Sequence, residues 1–338
     1  MKNTFKHLQS AHCENGVTAS LLNHYGYDYI NEPLAFGIGS GLFYVHLPFI
    51  KFNNGPGISF RTMPGTIFKR TCKSLNIKIN RKKFRDKKKA QEFLDLKISQ
   101  NIPVGCQVGV FNLSYFPAEY RFHFNAHNLI VYGKENGRYL ISDPIMDDLT
   151  SLTTEELEKV RFAKGVLPPK GHIYYLENVK EKDINVLRKG IVKGIKRNVR
   201  DMIHIPGPVA GVKGIVYTSK QIRKWRDKLG ERKAGLYLGQ IVRMQEEIGT
   251  GGGGFRFIYA AFIEQASEYL KDDSLLKISD DFTKAGDLWR NSAVQMAGIY
   301  KNRTNQQKDF EAVADILLEI SEVEKSAFKK LSKLKYNI

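Results

Sequence analysis

Cys13 is the residue whose type and position could most directly do chemistry in this sequence. It lies in the segment His12-Cys13-Glu14-Asn15-Gly16, which precedes helix-compatible apolar residues at Val17, Leu21 and Leu22. A cysteine at a helix start faces unpaired backbone N–H groups and the positive end of the helix dipole, and both favour the thiolate. We therefore interpret Cys13 as a candidate nucleophile. The alternative is a buried small apolar residue, because free cysteine is among the most buried residue types.

A second stretch, well downstream, contains His127 and Asp143. Residues 123–133 and 139–144 predict two β-strands, and Asn136-Gly137 predicts the turn between them. Side chains alternate between the two faces of a strand, so the length of the turn decides whether Asp143 can meet His127. A two-residue turn would pair Glu135 with Arg138 and would point Asp143 away from the face that His127 uses.

A three-residue loop gives the opposite result. With Glu135-Asn136-Gly137 as the loop and Gly137 left-handed, Lys134 pairs with Arg138 and Asp143 lies opposite Leu129. His127 and Asp143 are then diagonal neighbours on one face, with Cβ atoms roughly 7 Å apart, within reach of a hydrogen bond. A functional site therefore requires the three-residue loop. If the turn differs, Asn125 and Asn128 are alternative third members.

A cysteine, a histidine and an acid can together form a site for nucleophilic catalysis. The imidazole takes the proton of the thiol, and the carboxylate fixes the tautomer and the orientation of the ring. Residue order alone is a weak indication, but it is joined by four motifs that resemble the butirosin-biosynthesis protein H family. They are His12-Cys13-Glu14, Phe36-Gly37-Ile38-Gly39-Ser40-Gly41, His123-Phe124-Asn125-Ala126-His127 and Ile141-Ser142-Asp143-Pro144.

The resemblance implies an α+β fold. In that family a papain-like N-terminal domain with an antiparallel sheet, similar to the cysteine peptidases that remove bacteriocin leaders, precedes an all-α C-terminal domain. We expect these domains at residues 1–178 and 179–338. The resemblance also implies acyl transfer from a carrier-protein thioester to an amine or hydroxyl acceptor. Cys13 would be the nucleophile, His127 the base and acid, and Asp143 the orienting residue.

The sequence departs from the papain-like pattern at one position. Such enzymes usually place a glutamine some six residues before the cysteine to help bind the oxyanion, and this chain has His7 there, with Gln9 nearby but offset. The backbone N–H of Cys13 could supply one oxyanion donor. The second donor stays open, with Gln107 and His12 as the candidates.

Composition and length indicate a globular protein of two domains. The chain has 338 residues, 42% of them hydrophobic, and its apolar runs are far shorter than a membrane span needs. The segment from Met1 to His7 lacks the apolar core of a signal peptide, so we expect a cytoplasmic protein. Its 3 cysteines are widely spaced, which predicts reduced thiols and no metal site.

The charge predicts an anionic partner. Lys and Arg number 53 against 35 Asp and Glu, which gives a formal net charge of +18. We expect an acidic acyl carrier protein, because its resident phosphopantetheine fits the resemblance. No other cofactor is expected. Nucleic acid is disfavoured, since no recognised binding module is present and basic residues occur throughout both halves. The dense basic run of residues 78–89 indicates a solvated face, or a docking surface for that partner.

The C-terminal half predicts helices and one unusual loop. Apolar residues at spacings of three and four begin near Ile184 and indicate an amphipathic helix with a basic outer face. Residues 249–254 are glycine-rich and precede Arg256. Backbone N–H groups at a helix start can hold a phosphate or carboxylate, so Gly251, Gly252 and Arg256 could contact a phosphopantetheine or an acceptor. A flexible connector or close helix packing is the alternative.

Three functions remain open from the sequence. The first is an acyltransferase of secondary metabolism that forms an acyl-enzyme on Cys13. The second is a cysteine peptidase or amidase, because the same constellation attacks amides and only a dry, acceptor-shaped cleft makes transfer faster than hydrolysis. The third is a non-catalytic basic protein that binds a carrier protein or another anionic partner.

Overall fold

The computed structural model describes residues 5–52, 55–179 and 182–336, so part of the N-terminal segment considered above lies outside the described residues. The helices and strands follow in chain order: α1 (Cys13–His24), α2 (Glu32–Ile38), β1 (Leu42–Phe52), β2 (Gly55–Arg61), α3 (Thr66–Ser74), β3 (Lys78–Lys82), α4 (Lys87–Ser99), β4 (Val104–Val108), β5 (His127–Glu135), β6 (Arg138–Ser142), β7 (Thr150–Thr153), α5 (Thr154–Arg161), β8 (Ile173–Asn178), α6 (Ile184–Val199), α7 (Gly211–Leu229), α8 (Glu231–Val242), α9 (Arg256–Leu270), α10 (Ser274–Tyr300) and α11 (Gln307–Lys333).

The chain divides into two compact units that are discontinuous in sequence. The first unit contains the segments Met1–Ala35 and Ile67–Ile184. The second contains Phe36–Thr66 and Asn185–Ile338, so the β1–β2 hairpin belongs to the mainly helical unit. The antiparallel sheet and the helical C-terminal half confirm the predicted α+β class. A boundary at residues 178 and 179 stays a prediction.

The first unit is built on an antiparallel sheet with the strand order β3-β8-β4-β5-β6-β7. Strand β4 lies inside this sheet and pairs with β5, with Val108 level with His127. Strand β3 forms one edge of the sheet and contains the start of the basic run, whose Lys and Arg side chains from Lys78 to Lys89 are all exposed. Charged side chains on an edge strand discourage further strand pairing.

The predicted three-residue loop between β5 and β6 is wrong. Glu135 pairs with Arg138 across a two-residue turn of Asn136 and Gly137, which have φ angles of 48° and 76°. The register then shifts between Val131 and Gly133, because β5 contains one extra residue there. This β-bulge moves every later pair by one position.

The bulge restores the alignment that the site needs. Beyond it, Val131 pairs with Ile141 and Ile130 pairs with Ser142. Continuing this register places Asp143 level with Leu129, as the loop prediction required. His127 and Asp143 are therefore diagonal neighbours, although the one-residue correction occurs at the bulge and not in the turn.

Helix α1 begins at Cys13 itself and packs on β5 and β4, with every residue from Cys13 to Leu22 buried. Gly16 permits the close approach of this helix to the end of β6. A Cβ atom at Gly16 would lie 2.5 Å from Cβ of Pro144 and 2.7 Å from Cβ of Ser10. The Ser10 backbone N–H donates to the Pro144 carbonyl at 2.7 Å, which fixes this contact.

Helices dominate the second unit, as the sequence predicts. Helix α6 has the expected amphipathic pattern, with Leu187, Ile191, Ile195 and Val199 buried and its lysines exposed, although Ile184 at its start is exposed. Helices α7, α10 and α11 pack side by side, and α9 packs on α10. Among the described residues, no helix combines the length and the apolar character that crossing a membrane would need.

Gly16→Ala should destabilise the first unit by about 1–3 kcal/mol, because the added methyl group has no space beside Pro144 and Ser10. The measurement is the urea concentration at which the fully buried Cys106 becomes alkylated, and it should fall in the variant.

The matched control is Gly235→Ala in helix α8, where the nearest atoms would lie 3.7 Å from the new Cβ. This change should leave the second unit as stable or raise its stability by roughly 0.5–1 kcal/mol. Fluorescence of Trp225 and Trp289, which lie in that unit, reports it. Equal effects of the two changes would contradict the close packing at Gly16.

Candidate active site

The helix start that carries Cys13 is held by its neighbours on both sides. His12 is the N-cap of α1, and its Nδ1 accepts the backbone N–H of Asn15 at 3.3 Å. The Glu32 carboxylate, at the start of α2, accepts the backbone N–H groups of Ala11 at 2.9 Å and His12 at 2.8 Å. Cys13 thus occupies the first helical position, whose N–H has no acceptor within the helix.

Glu14 points away from the thiol and caps a different helix. Its Oε1 accepts the backbone N–H groups of Ile67 at 2.9 Å and Phe68 at 3.3 Å, at the start of α3. A carboxylate at a helix N-terminus is favoured by the helix dipole. Glu14 is 1% exposed, so this contact joins α1 to α3 inside the unit.

His127 and Asp143 meet as predicted. His127 Nε2 lies 2.7 Å from Asp143 Oδ2, and Tyr115 donates its hydroxyl to the same oxygen at 2.7 Å. The backbone N–H of Ile145 donates to Asp143 Oδ1 at 3.1 Å. Asp143 has no exposed surface, so three donors replace the water that its carboxylate has lost.

The second nitrogen of the ring is directed at the thiol. His127 forms side-chain hydrogen bonds with both Asp143 and Cys13; since Nε2 is taken by Asp143, Nδ1 faces Cys13. Burial alone would lower the pKa of His127, but the charges of Asp143 and Cys13 and the hydrogen bonds to both outweigh it and raise the pKa to about 10. The imidazole therefore stays protonated at neutral pH beside the cysteine.

Cys72 and Cys106 have a different environment. Both are completely buried, whereas Cys13 is 6% exposed. Burial raises the pKa of Cys72, and it raises the pKa of Cys106 to about 11 although the nearby charge of Arg161 acts in the opposite direction. Of the three thiols, Cys13 is the one with both a histidine partner and contact with solvent.

Of the side chains named above for the oxyanion, three are bonded to other groups, and the fourth, His12, uses its Nδ1 as the cap of α1. His7 uses both ring nitrogens, on Ser142 Oγ at 2.8 Å and on the Met146 carbonyl at 3.0 Å. Gln9 donates to Asp147. Gln107 donates to the Asn125 carbonyl at 2.8 Å and bonds to His172 at 3.1 Å. His12 caps its own helix.

Asn128 contacts the nucleophile, which the sequence did not predict. Its Nδ2 lies 3.7 Å from Cys13 Sγ and donates to the Ala126 carbonyl at 3.1 Å. Its Oδ1 accepts the hydroxyl of Tyr174 at 2.8 Å. The signal in the sequence is an asparagine near the histidine, at position 128, which was predicted only as an alternative third member of the site. Asn125, the other alternative, bonds instead to the carbonyls of Lys164 and Val166.

The glycine-rich loop lies in the second unit, and Arg256 is buried there. Its guanidinium donates to Glu324 Oε1 at 2.8 Å and Oε2 at 3.0 Å, and to the Gly254 carbonyl at 2.7 Å. Both charged side chains are 0% exposed. This arrangement gives Arg256 a structural role. Contact of Gly251, Gly252 and Arg256 with a phosphopantetheine or an acceptor stays a prediction.

The loop's own backbone also has internal partners. Gly253 N–H donates to the Glu246 carboxylate at 3.1 Å, and Gly252 N–H donates to Thr250 Oγ1 at 3.1 Å. Left-handed φ angles run through Gly251, Gly252, Gly253, Gly254 and on to Phe255. Glycine is needed because such angles are costly for other residues.

A cysteine at a helix start, packed against an antiparallel sheet that carries its histidine partner, defines a papain-like α+β domain. Residues 155–331, more than half of the chain, match the family model described as a domain of unknown function, DUF4872, so the chain belongs to this family. Residues 12–144 match the model described as butirosin biosynthesis protein H, N-terminal, which confirms the resemblance found in the sequence.

Comparisons with curated proteins and with solved structures give less information than the family models. No curated protein matches the chain significantly. Among solved structures, the chain is similar to one described as a C39-like peptidase from Bacillus anthracis, with 14% identity and a TM-score of 0.37, over 53% of this chain and 98% of the other.

Asp143→Asn should lower the pKa of His127 from about 10, because the carboxylate charge that favours the imidazolium is removed. As pH rises, the ring should therefore lose its proton earlier in the variant than in the wild type. Side-chain ¹⁵N NMR titration measures this. His172 is the control, because Asp143→Asn does not alter its surroundings. Burial lowers the pKa of His172 to about 4, and the charges of Arg81 and Lys83 act in the same direction. An unchanged His127 titration would contradict the assignment.

Glu324→Leu should destabilise the second unit by about 3–5 kcal/mol, because it leaves the Arg256 charge buried without its carboxylate partner. Adding Arg256→Met to this variant should recover part of the loss. Urea unfolding followed by circular dichroism measures both. The control is Lys330→Met, which removes an exposed ion pair with Asp281 and should cost less than about 1 kcal/mol. Similar losses for Glu324→Leu and Lys330→Met would refute the structural role of Arg256.

Proposed function

We propose that the protein is an acyltransferase of secondary metabolism that moves an acyl group from a carrier-protein thioester, through Cys13, to an amine or hydroxyl acceptor. The observation that carries the proposal is the chain of contacts from Cys13 to His127 and from His127 to Asp143. The match of residues 12–144 to butirosin biosynthesis protein H supports the assignment to secondary metabolism.

The first half-reaction forms the acyl-enzyme. The Cys13 thiolate attacks the thioester carbonyl, and a tetrahedral oxyanion forms with a new bond between Sγ and carbon. When the intermediate collapses, the carbonyl re-forms and the bond from carbon to the carrier's sulfur breaks. The departing thiolate takes the proton of the His127 imidazolium, so His127 ends this step neutral.

The second half-reaction uses the changed state of the histidine. Acylation removes the charge of Cys13 and its hydrogen bond, which are two of the causes that raise the pKa of His127. The pKa therefore falls once the acyl-enzyme has formed, and the neutral imidazole can act as a base. It takes a proton from the acceptor, whose nitrogen or oxygen attacks the acyl carbon and releases the Cys13 thiolate.

The charge distribution supports an acidic carrier protein as the donor. The Lys and Arg side chains of residues 78–89 are exposed and belong to the same unit as Cys13. They add to a formal net charge of +18. Such a surface attracts an acidic partner and speeds its association at low salt.

Hydrolysis is the nearest competing function, because water can replace the acceptor in the second half-reaction. The same three residues would then serve a cysteine peptidase or amidase. The third candidate, a binding protein without catalysis, requires Cys13 to be unreactive. A single experiment separates the three.

The protein is incubated with acyl thioesters of N-acetylcysteamine, which mimic the end of a phosphopantetheine arm, and the acylated residue is located by mass spectrometry. We expect one acyl group on Cys13 and none on Cys72 or Cys106. Cys13→Ser and His127→Ala should reduce the acylation rate by at least about 10²-fold. Cys106→Ala, a change at a buried thiol outside the site, should leave that rate unchanged.

The fate of the acyl-enzyme distinguishes transfer from hydrolysis. Added amines should shorten its lifetime and yield amides, whereas rapid loss to water that amines do not change indicates a hydrolase. If Cys13 takes up no acyl group and iodoacetamide labels it no faster than Cys72 and Cys106, the acyl-enzyme mechanism is wrong and the binding function is favoured.

A further inference from the structure

The backbone N–H of Cys13 lies at the first helical position, without an acceptor in the helix, and is therefore free of the helix to act as one oxyanion donor. The position of the usual glutamine is filled by His7, whose ring is committed elsewhere. A single donor is an incomplete oxyanion site, since acyl-transfer enzymes commonly use two or more. A second donor has to be an N–H group close to Cys13 Sγ, since the oxyanion forms on the carbon bonded to that sulfur.

We infer that the side-chain amide of Asn128 is the second oxyanion donor, an inference that rests on the proposed acyl transfer. Nδ2 lies 3.7 Å from Cys13 Sγ. A tetrahedral carbon bonded to Sγ places its oxyanion within about 3 Å of the sulfur, and an oxyanion on the side of Asn128 lies within hydrogen-bond reach of Nδ2. One N–H of the amide is held by the Ala126 carbonyl, and the other is directed to the site.

Tyr174 fixes the orientation of this amide. Its hydroxyl donates to Asn128 Oδ1 at 2.8 Å, so Nδ2 and not Oδ1 faces the sulfur. Burial raises the pKa of Tyr174 well above its usual value, and the charges of Glu14, Cys13 and Cys106 act in the same direction. The hydroxyl therefore keeps its proton and remains a donor at any working pH.

The sheet is shaped to hold Tyr174 in place. Its ring lies over Gly105, where a Cβ atom would come within 2.3 Å of the ring, and its other side packs on Phe68 with ring centroids 4.6 Å apart. Tyr174 is thus a positioning residue, and Asn128 is the residue that touches the reacting atoms. Asn128 is 5% exposed, so water competes weakly for its amide, which strengthens a hydrogen bond to the oxyanion.

The test compares two reactions of Cys13 that differ in whether an oxyanion forms. Acylation by an N-acetylcysteamine thioester passes through one, whereas attack on methyl methanethiosulfonate occurs at sulfur and does not. Asn128→Ala should slow acylation by about 10²–10³-fold and leave the thiosulfonate rate within about threefold of wild type. Asn128→Leu keeps a similar volume without charge but lacks the N–H, and should behave similarly. Asn125→Ala, at an asparagine with no contact to Cys13, should change neither rate.

Tyr174→Phe should slow acylation by less than Asn128→Ala, because the amide is retained but free to rotate. If acylation by Asn128→Ala equals that of wild type, the inference is wrong. If the acylation and thiosulfonate rates fall together, Asn128 acts on the thiolate or on folding, and the inference is equally wrong.

A small aliphatic aldehyde separates this inference from the proposed function. It forms a reversible hemithioacetal on Cys13 whose oxygen needs the same donors, whether or not thioesters are substrates. Weaker aldehyde binding by Asn128→Ala, with its thiosulfonate rate kept, would support the oxyanion role even if the wild type is not acylated. In that case the proposed acyl transfer would fail alone, whereas unchanged aldehyde affinity would overturn the role of Asn128.

Discussion

The hydrogen bond between His127 and Asp143 has to form where neither side chain reaches bulk water. The carboxylate is completely buried, and its oxygens accept from His127, Tyr115 and the Ile145 backbone. A shift of one residue between β5 and β6 would turn Asp143 to the other face and leave a buried charge without partners, which is strongly unfavourable. The bulge near Tyr132 sets the required register, so a local irregularity in the sheet supports the site.

The neighbours of Cys13 in the segment from His12 to Gly16 hold the start of α1 in place. His12 caps α1, Glu14 caps α3, and Gly16 lets α1 reach Pro144, directly after Asp143. Each neighbour joins the helix start to another part of the unit. Cys13 is left with its thiol toward His127 and its backbone N–H at the end of the helix. The motif thus fixes the nucleophile by packing and leaves its thiol directed at His127.

Local pattern was enough to predict the helical second half and the two strands that carry His127 and Asp143, and the family resemblance supplied the α+β class. Local pattern was not enough where distant residues decide the outcome. The two-residue turn is what Asn136-Gly137 favours on its own, but the compensating bulge depends on how β5 and β6 pack. The burial of Arg256 depends on Glu324, and the role inferred for Asn128 depends on Tyr174; neither partner is near in sequence.

The distribution of charge in the site suits a reaction in two steps. With Cys13 free, the buried imidazolium faces a carboxylate on one side and the cysteine on the other. Acylation removes the second charge, so the protonation of His127 then depends on Asp143 alone and the ring becomes a base when the acceptor needs one. The Asn128 amide is neutral throughout, so it can donate to the oxyanion of each half-reaction without changing the protonation of His127. The same groups would serve water equally well, so the choice between transfer and hydrolysis depends on how the acceptor is bound.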